Sequence, residues 1–331
     1  MDLSTRYLGL DLPSPLVASA SPLTLDLDNI RTLEDAGAGA VVLPSIFQEQ
    51  IEAEVEDMDR MLGVGADSFP EALTYFPAAH DYRVGSLRYL ETLRRARDAV
   101  DIPVIASLNG TTEAGWVDFA RDLEQAGASA IELNMFSVPT DLARSGADLE
   151  YAQLATLRAV RAAVSIPIAV KLSPFYSAPG HLVAELHAAG ADGFVLFNRF
   201  YQPDIDLATL RLRRDVSLST PSEIRLPLLW IGVLSGQIET SFAASTGVET
   251  AEQVVKYLLV GADVVMATSS LLRHGVGHMR VLHEGLRAWL AARRIGLGDI
   301  RGRMRREHLD DPSAFERANY IRILQGWRDG R

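Results

Sequence analysis

The feature that most constrains this chain is a short motif that recurs four times, in which a glycine followed by a small residue precedes an apolar run. The four copies are Ala36–Leu43, Ala126–Leu133, Ala189–Leu196 and Val260–Ala267. A glycine at this point can adopt the left-handed conformation that ends a helix. A continuous apolar run, without alternation, is typical of a parallel strand buried on both faces. The motif therefore predicts helix ends that lead directly into buried strands.

A second recurring unit places a proline at the start of an apolar run, in Ile102–Ser107 and Ile166–Lys171. Proline is tolerated there because the first residue of a strand can lack an N–H. The two units together predict eight strands, at 15–20, 39–44, 103–108, 129–134, 167–172, 192–197, 242–246 and 263–267. Amphipathic helices are predicted between most of them, at Trp116–Ala126, Leu149–Ala163, Gly180–Ala189 and Thr250–Leu259.

Eight strand–helix alternations predict an α/β fold of the (β/α)8 TIM-barrel type. An open doubly wound sheet is the alternative, although no G-x-G-x-x-G follows the first strand. We expect a barrel domain over residues 1–296 and a helical C-terminal extension over 297–331. The extension would be a solvated cap or a dimer element.

Residues 45–100 are long for one strand–helix unit and predict an insertion after the second strand. The segment contains an acidic run, Glu49–Asp59, and an apolar stretch bounded by proline, Ser68–Pro77. Such a loop at the C-terminal face of a barrel would cover a ligand or contact a second subunit.

Composition excludes several classes of protein. The chain has no cysteine, which excludes disulfides, iron–sulfur clusters and a thiol nucleophile. A net charge of −11 argues against nucleic-acid binding. No apolar stretch is long enough for a transmembrane helix, and Met1–Asp11 lacks a signal-peptide pattern, so we expect a cytoplasmic protein that does not enter a membrane.

Amides and hydroxyls predominate at the predicted C-terminal ends of the strands, where barrel enzymes place their active sites. These ends are Ser19–Ser21, Pro44–Ser45, Ser107–Gly110, Asn134–Ser137, Ser173–Pro174, Asn198–Arg199, Ser245–Gly247 and Thr268–Ser270. The set suits a polar heterocycle with a phosphate. It does not suit glycoside hydrolysis by two carboxylates, and it contains no metal-binding motif.

The last two strand ends predict the phosphate site. Thr246 and Gly247 precede a predicted helix, and Thr268 and Ser269 open the next one. Helix starts leave backbone N–H groups free for an anion, and barrels often bind phosphate after strands 7 and 8. Ordinary N-capping by Thr and Ser is the alternative.

Lys171 is the most informative single residue, because Lys256 is the only other lysine in the chain. It ends a predicted strand, so its side chain should project into the barrel mouth. A buried ammonium is costly unless it is paired with an anion or an electron-rich ligand. Lys171 therefore either serves a ligand or forms a structural ion pair with a carboxylate such as Glu132. We expect Lys256, on a helix, to be solvated.

On these residues the chain resembles the dihydroorotate dehydrogenase superfamily of FMN-binding barrels, and most closely its dihydroorotate dehydrogenase-like branch. The resemblance is carried by Ile131–Asn134, Val170–Pro174, Phe197–Asp204, Ser245–Thr250 and Gly261–Met266. It implies an FMN cofactor and hydride transfer to flavin N5 from a dihydropyrimidine-like or related CH–CH substrate; the family activity is dihydroorotate to orotate. It also implies a small-molecule substrate, a homodimer and an electron acceptor that the sequence does not identify.

The resemblance also implies roles for individual residues. The backbone of Ser19 and Ala20 would lie under the flavin ring, Lys171 would stabilise the reduced anionic flavin, and Ser137 would abstract the substrate proton. The remaining cofactor-binding residues would be the amides Asn109, Asn134 and Asn198 and the phosphate-binding group Thr246, Gly247, Thr268 and Ser269.

Two positions depart from the family pattern. The family's loop Asn-x-Ser-Cys/Ser-Pro-Asn reads Asn134–Pro139 here, with Ser137 aligned to the base but its Pro and Asn neighbours displaced, and Pro44 stands where many members have a lysine. Two other functions therefore remain open. One is a flavin-free phosphosugar aldolase or isomerase that uses Lys171 as a Schiff-base amine. The other is a catalytically silent flavin-binding protein.

Overall fold

Eight parallel strands close into a barrel in the computed structural model, which describes residues 1–47, 86–109, 113–199, 202–213, 217–311, 315 and 317–326. Neighbours in the barrel follow the chain order, and the last strand pairs with the first. The strands are β1 Leu16–Ala18, β2 Ala40–Phe47, β3 Val104–Asn109, β4 Ala130–Asn134, β5 Ile168–Leu172, β6 Gly193–Leu196, β7 Ser241–Ala244 and β8 Val264–Ala267. Each predicted strand has its counterpart here, so the TIM-barrel prediction is confirmed.

Helices connect the strands of the barrel, and further helices follow its last strand. They are α1 Leu27–Asp35, α2 Ser86–Ala99, α3 Glu113–Gln125, α4 Gly146–Ala163, α5 Pro179–Ala188, α6 Arg225–Leu234, α7 Ala251–Leu259, α8 Ser269–His274, α9 His278–Arg293, α10 Leu297–Ile300 and α11 Arg317–Gly326. The four predicted helices correspond to α3, α4, α5 and α7.

The recurring glycines end helices in the way that the motif predicts. The φ angles of Gly37, Gly127, Gly190 and Gly261 are +94°, +92°, +107° and +108°. A side chain is strained in this left-handed region, whereas glycine is not. Each glycine thus turns the chain from a helix into the next strand, which fixes the spacing of the repeat.

The lower half of the barrel interior is apolar and closed at its base. A hairpin of Thr5–Tyr7 and Leu10–Leu12 covers that end. Tyr7, Leu8 and Leu12 are buried there against the inward-facing side chains of all eight strands, such as Val17 and Val264. Because the base is filled with hydrocarbon, a polar ligand has access only from the opposite end.

The first part of the C-terminal extension packs on the barrel. The backbone N–H of Gly302 donates to the carbonyl of Leu258 at 2.9 Å, and Arg301 forms an ion pair with Asp263 at 3.1 Å. Burial raises the pKa of the Asp263 carboxyl above its usual value, although the backbone N–H of Phe242 and two arginines oppose the shift. These contacts attach the extension to α7 and to the loop before β8.

The predicted insertion lies largely outside the described residues, including the acidic run 49–59 and the apolar stretch 68–77. Its two ends belong to the barrel repeat, because β2 continues to Phe47 and α2 begins at Ser86. Among the described helices, none is both long enough and apolar enough to cross a membrane.

Candidate active site

Strand alternation brings polar side chains together inside the upper half of the barrel. Along β4, Ala130 packs in the interior, whereas Ile131 and Leu133 pack outward against the helices. Because successive side chains alternate, Glu132 and Asn134 also face inward. The same alternation turns inward three polar side chains of the neighbouring strands: Ser107 and Asn109 in β3 and Lys171 in β5.

Lys171 forms a buried ion pair with Glu132. The two side chains are 9% and 1% exposed, and the lysine Nζ lies 3.3 Å from Oε1 of the carboxylate. The structural pairing that the sequence left open is therefore present. Lys171 also lines the cavities at the barrel mouth, so the pairing does not withdraw its ammonium from a ligand.

A chain of hydrogen bonds runs from the same carboxylate across three strands, β2 to β4, to the loop after β6. The Ser107 hydroxyl donates to Glu132 Oε1 at 3.2 Å and lies 2.7 Å from the Ser45 hydroxyl. Asn134 Nδ2 donates to Ser45 Oγ at 3.0 Å, and Asn198 Nδ2 donates to Asn134 Oδ1 at 2.6 Å. The chain connects the barrel interior to the amides at the mouth.

Asn109 stabilises the loop after β4. Its Nδ2 donates to the carbonyl of Asn134 at 2.7 Å and to that of Phe136 at 3.3 Å. Asn109 is nearly fully buried, so its amide is committed to these backbone groups. It therefore shapes the edge of the site and does not line the cavities that border it.

Two buried tyrosines lie beside the hydrogen-bond chain. The Tyr89 hydroxyl donates to the Ser107 carbonyl at 3.3 Å and accepts from the Ser107 N–H at 3.1 Å. Burial raises the pKa of Tyr89 well above its ordinary value, so this tyrosine stays protonated. The pKa of Tyr7 is raised by burial and also by the negative charges of Glu132 and Asp263.

Three small residues meet at the ends of β7 and β8. The Gly247 N–H donates to Ser219 Oγ at 3.1 Å, and the Ser219 hydroxyl and N–H both donate to Ser269 Oγ, at 2.9 and 3.1 Å. A Cβ built on Gly247 would lie 2.7 Å from the Thr220 carbonyl oxygen. The backbone thus approaches so closely that no side chain fits at this position.

The turn that carries Gly247 is held by buried hydrogen bonds. Thr246 and Gly247 have φ angles of +84° and +71°. The Tyr257 hydroxyl donates to the carbonyl of Thr246 at 2.7 Å and to that of Ser245 at 3.2 Å, and the Thr246 hydroxyl donates to the Phe197 carbonyl at 3.2 Å. A β-branched residue is strained at positive φ, and these bonds offset the strain.

One cleft joins the ion pair to the small-residue cluster. A cavity of about 180 Å³ is lined by Lys171 and also by Ser219, Gly247 and Ser269. A second cavity of about 300 Å³ extends toward Ser45 and Tyr89. The two cavities share Ala20, Lys171 and Asn198, so they form a single cleft across the barrel mouth.

Most of the predicted site residues line this cleft. They are Ser19, Ala20, Asn134, Lys171, Asn198, Thr246, Gly247, Thr268 and Ser269. The helix predicted at Thr250–Leu259 begins at Ala251, with Thr250 as its N-cap, so Gly247 lies in the preceding turn.

Ser137 does not lie in this cleft. Its exposed side chain lines a separate cavity of about 360 Å³ together with Ser173 and Tyr176. The loop after β4 therefore directs Ser137 away from Lys171 in this conformation.

Sequence reasoning missed Ser219, because it lies in a segment without strand or helix periodicity. One signal was available, since Thr220 and Glu223 have the spacing of a capping box and form one in the structure. That pattern marks the start of a 3-10 helix and places Ser219 at its edge. Within the described residues, no group of three or more His, Cys, Asp or Glu side chains could hold a metal ion.

A closed parallel barrel with a polar cleft at the C-terminal ends of its strands is the layout of a TIM-barrel enzyme. The family profile described as dihydroorotate dehydrogenase matches residues 82–290, well over half of the chain. The chain thus belongs to the dihydroorotate dehydrogenase family, whose members are oxidoreductases that act on CH–CH bonds.

Individual proteins of this family are similar to the chain at modest sequence identity. A protein of Aeropyrum pernix assigned as dihydroorotate dehydrogenase A (fumarate) is 26% identical over 297 residues, which cover 87% of this chain and 92% of that protein. The dihydropyrimidine dehydrogenase subunit PreA of Escherichia coli, which is NAD-dependent, is 25% identical over 88% of this chain and 73% of its own length. The catalytic subunit of dihydroorotate dehydrogenase B (NAD(+)) from Shouchella clausii is 30% identical over 51% of this chain and 57% of its own.

Proposed function

We propose that this protein is an FMN-dependent oxidoreductase that oxidises a dihydropyrimidine-like or related CH–CH substrate. One observation carries the proposal: a single cleft is lined by a buried ammonium, Lys171, and by a cluster of hydroxyl and backbone N–H groups around Gly247. The relatives named above, which act on dihydroorotate or dihydropyrimidines according to their names, support the class of substrate.

The residues present fit FMN. A phosphate needs hydrogen-bond donors. The hydroxyls of Ser219 and Ser269 and the backbone of Gly247 line the cavity, and the bonds that they make to one another here would be exchanged for bonds to the phosphate. The flavin ring carries electron-rich oxygen and nitrogen atoms at its pyrimidine end, and these suit a cation with neutral amides beside it. Lys171 and Asn198 supply that combination.

Each part of the cleft would have its own task. Ser219, Gly247, Thr246, Thr268 and Ser269 would hold the phosphate, and the backbone of Ser19 and Ala20 would support the ring. The Lys171 ammonium would stabilise negative charge on the reduced cofactor, and Asn134 and Asn198 would orient the ring or the substrate through their amides. When bound, the flavin supplies the hydride acceptor, which no side chain can provide.

Ser137 remains our proposed proton acceptor, and its own hydroxyl proton would pass to the solvent to which its side chain is exposed. The loop after β4 would have to turn its hydroxyl from the neighbouring cavity toward the cleft, because a base must reach the proton that it removes. The relatives named above are dehydrogenases by name and give the Schiff-base alternative no support.

The first test is the visible spectrum of the purified protein, followed by mass identification of the released cofactor. We expect a yellow protein that releases FMN and whose flavin is reduced by a dihydropyrimidine-class substrate. The variant Lys171→Ala should bind FMN more weakly and accept hydride more slowly. A colourless protein that does not take up FMN would contradict the proposal. Bound flavin that no such substrate reduces would favour a catalytically silent binding protein.

The proposal includes a cytoplasmic homodimer with the barrel at 1–296 and the extension at 297–331. Light scattering of the full chain would test the dimer. Limited proteolysis would test the boundary, because cleavage near residue 297 should leave the flavin bound.

A further inference from the structure

The direction of the hydrogen-bond chain is set by its last member, Glu132. An ionised carboxylate can only accept, so the Ser107 hydroxyl must donate its single proton to Glu132. The Ser45 hydroxyl must then donate to Ser107 and accept from Asn134 Nδ2. This leaves Asn134 Oδ1 to accept from Asn198 Nδ2. The charge of one buried residue thus decides which amide atoms face the cleft.

The two oxygens of the Glu132 carboxylate also differ in their hydrogen bonds. Its Oε1 accepts from both Lys171 and Ser107, whereas its Oε2 is buried without a hydrogen-bond partner among the described residues. The buried Tyr7 hydroxyl has no partner there either. The Lys171 ammonium is therefore the principal compensation for the charge of Glu132. Removing either side chain would leave the other as a buried charge without its partner.

We propose that Glu132 is a positioning residue that fixes the Lys171 ammonium and reduces the positive charge that Lys171 presents to an anionic ligand in the cleft. This inference rests on the proposed function, because the anionic ligand is the reduced flavin. By this account Glu132 sets the relative affinity of the protein for reduced and oxidised FMN.

Coulomb's law shows why the effect is substantial. An anion in hydrogen-bond contact with Nζ, on the side away from Glu132, is roughly twice as far from the carboxylate as from the ammonium. Interaction energy falls with the inverse of distance, so the carboxylate cancels roughly half of the attraction. The low exposure of both side chains keeps water from screening either charge.

The variant Glu132→Gln isolates the charge from the hydrogen bonds. Its carbonyl can replace Oε1 as acceptor for Lys171 and Ser107, and its NH₂ group takes the place of the unpartnered Oε2. The direction of the chain is then preserved while the negative charge is lost. The exposed pair Lys256–Glu252 offers a matched control, Glu252→Gln, in which the same change occurs at residues that line neither cavity of the cleft.

The experiment measures the dissociation constant of oxidised FMN and the midpoint potential of the bound flavin at pH 7, for wild type and each variant. We expect Glu132→Gln to favour reduced over oxidised FMN about tenfold more than wild type, which is a rise of ~30 mV for a two-electron couple. Glu252→Gln should match wild type. Lys171→Met should lower the ratio of the affinity for reduced FMN to the affinity for oxidised FMN.

A ratio unchanged within twofold in Glu132→Gln, or a fall, would overturn the inference while leaving the proposed function intact. Wild-type protein that does not bind FMN would instead overturn the proposed function. If Glu132→Gln does not fold, Ser107→Ala is the second variant. It removes a donor from Oε1, so the carboxylate should cancel more of the lysine charge and the ratio should fall about threefold. An unchanged or increased ratio in Ser107→Ala would equally contradict the inference.

Discussion

Gly247 donates its backbone N–H to the hydroxyl oxygen of Ser219 at 3.1 Å, although the two residues are 28 positions apart. The contact closes the small-residue cluster at the ends of β7 and β8. It depends on a glycine at positive φ and on a hydroxyl that faces it. The cluster can therefore be tested through backbone geometry as well as through side chains.

Gly247→Ala should both destabilise the protein and weaken FMN binding. The new Cβ would lie 2.7 Å from the Thr220 carbonyl oxygen, at a φ of +71°. We expect a loss of at least ~2 kcal/mol in the free energy of unfolding and a more than tenfold weaker affinity for FMN. Urea unfolding and flavin fluorescence would measure the two effects.

Gly275→Ala is the control for this change. Gly275 also has a positive φ, +84°, but a Cβ there meets no atom within 4 Å. Only the conformational strain should remain, about 1–2 kcal/mol, with FMN affinity unaltered. Equal FMN binding by both alanine variants would remove Gly247 from the site.

Tyr257→Phe should loosen the turn without touching the ligand. The hydroxyl supports the carbonyls of Ser245 and Thr246, and its loss leaves buried acceptors with fewer donors. We expect a destabilisation of about 1–2 kcal/mol and a severalfold weaker FMN affinity. Tyr320→Phe, at an exposed tyrosine, should change neither quantity. A Tyr257→Phe protein as stable as wild type would show that these hydrogen bonds are dispensable.

Ser137→Ala should slow flavin reduction by substrate while reduction by dithionite stays at the wild-type rate. Loss of a proton acceptor typically costs about a hundredfold or more, whereas dithionite needs no proton abstraction from carbon. Stopped-flow absorbance would measure both rates. Ser177→Ala is the matched control, because Ser177 lines the same cavity. If substrate reduces the Ser137→Ala and wild-type proteins equally fast, Ser137 has no role in the reaction.

Glu124→Gln should lower stability in a pH-dependent way. The Ser165 hydroxyl and the N–H groups of Ser165 and Ile166 donate to Glu124, and these bonds lower the pKa of its carboxyl below the ordinary 4.5. A lowered folded-state pKa means that the stabilisation is complete above pH 4.5 and is lost as the pH falls through the folded-state pKa. We expect Glu124→Gln to lower the free energy of unfolding by about 1 kcal/mol at neutral pH.

Urea unfolding at several pH values would check this expectation. The difference between wild type and Glu124→Gln should shrink as the pH falls below 4.5. Glu91→Gln, at an exposed ion pair with Arg94, should show little difference at any pH. A Glu124→Gln deficit that stays constant from neutral to acid pH would mean that ionisation of Glu124 is not its source.

The barrel was predictable because its signals are local. The strands and the helix ends follow from apolar runs and from glycines such as Gly127 and Gly261, each within about ten residues. Lys171 was recognisable from its position at the end of a strand. The turn at Gly247 was recognisable from its place before a helix. These inferences needed only the periodicity of strands and helices.

The sequence by itself determined the order of the strands, their inward and outward faces and the polar character of the barrel mouth. Only the tertiary structure decided which polar groups touch. Lys171 selects Glu132 across 39 residues, and Ser219 joins Gly247 and Ser269 from a segment without periodicity. The tertiary structure also places Ser137 in a separate cavity. The physical reason is that local pattern fixes the direction of a side chain relative to its own strand, whereas contacts between strands depend on the register in which the barrel closes.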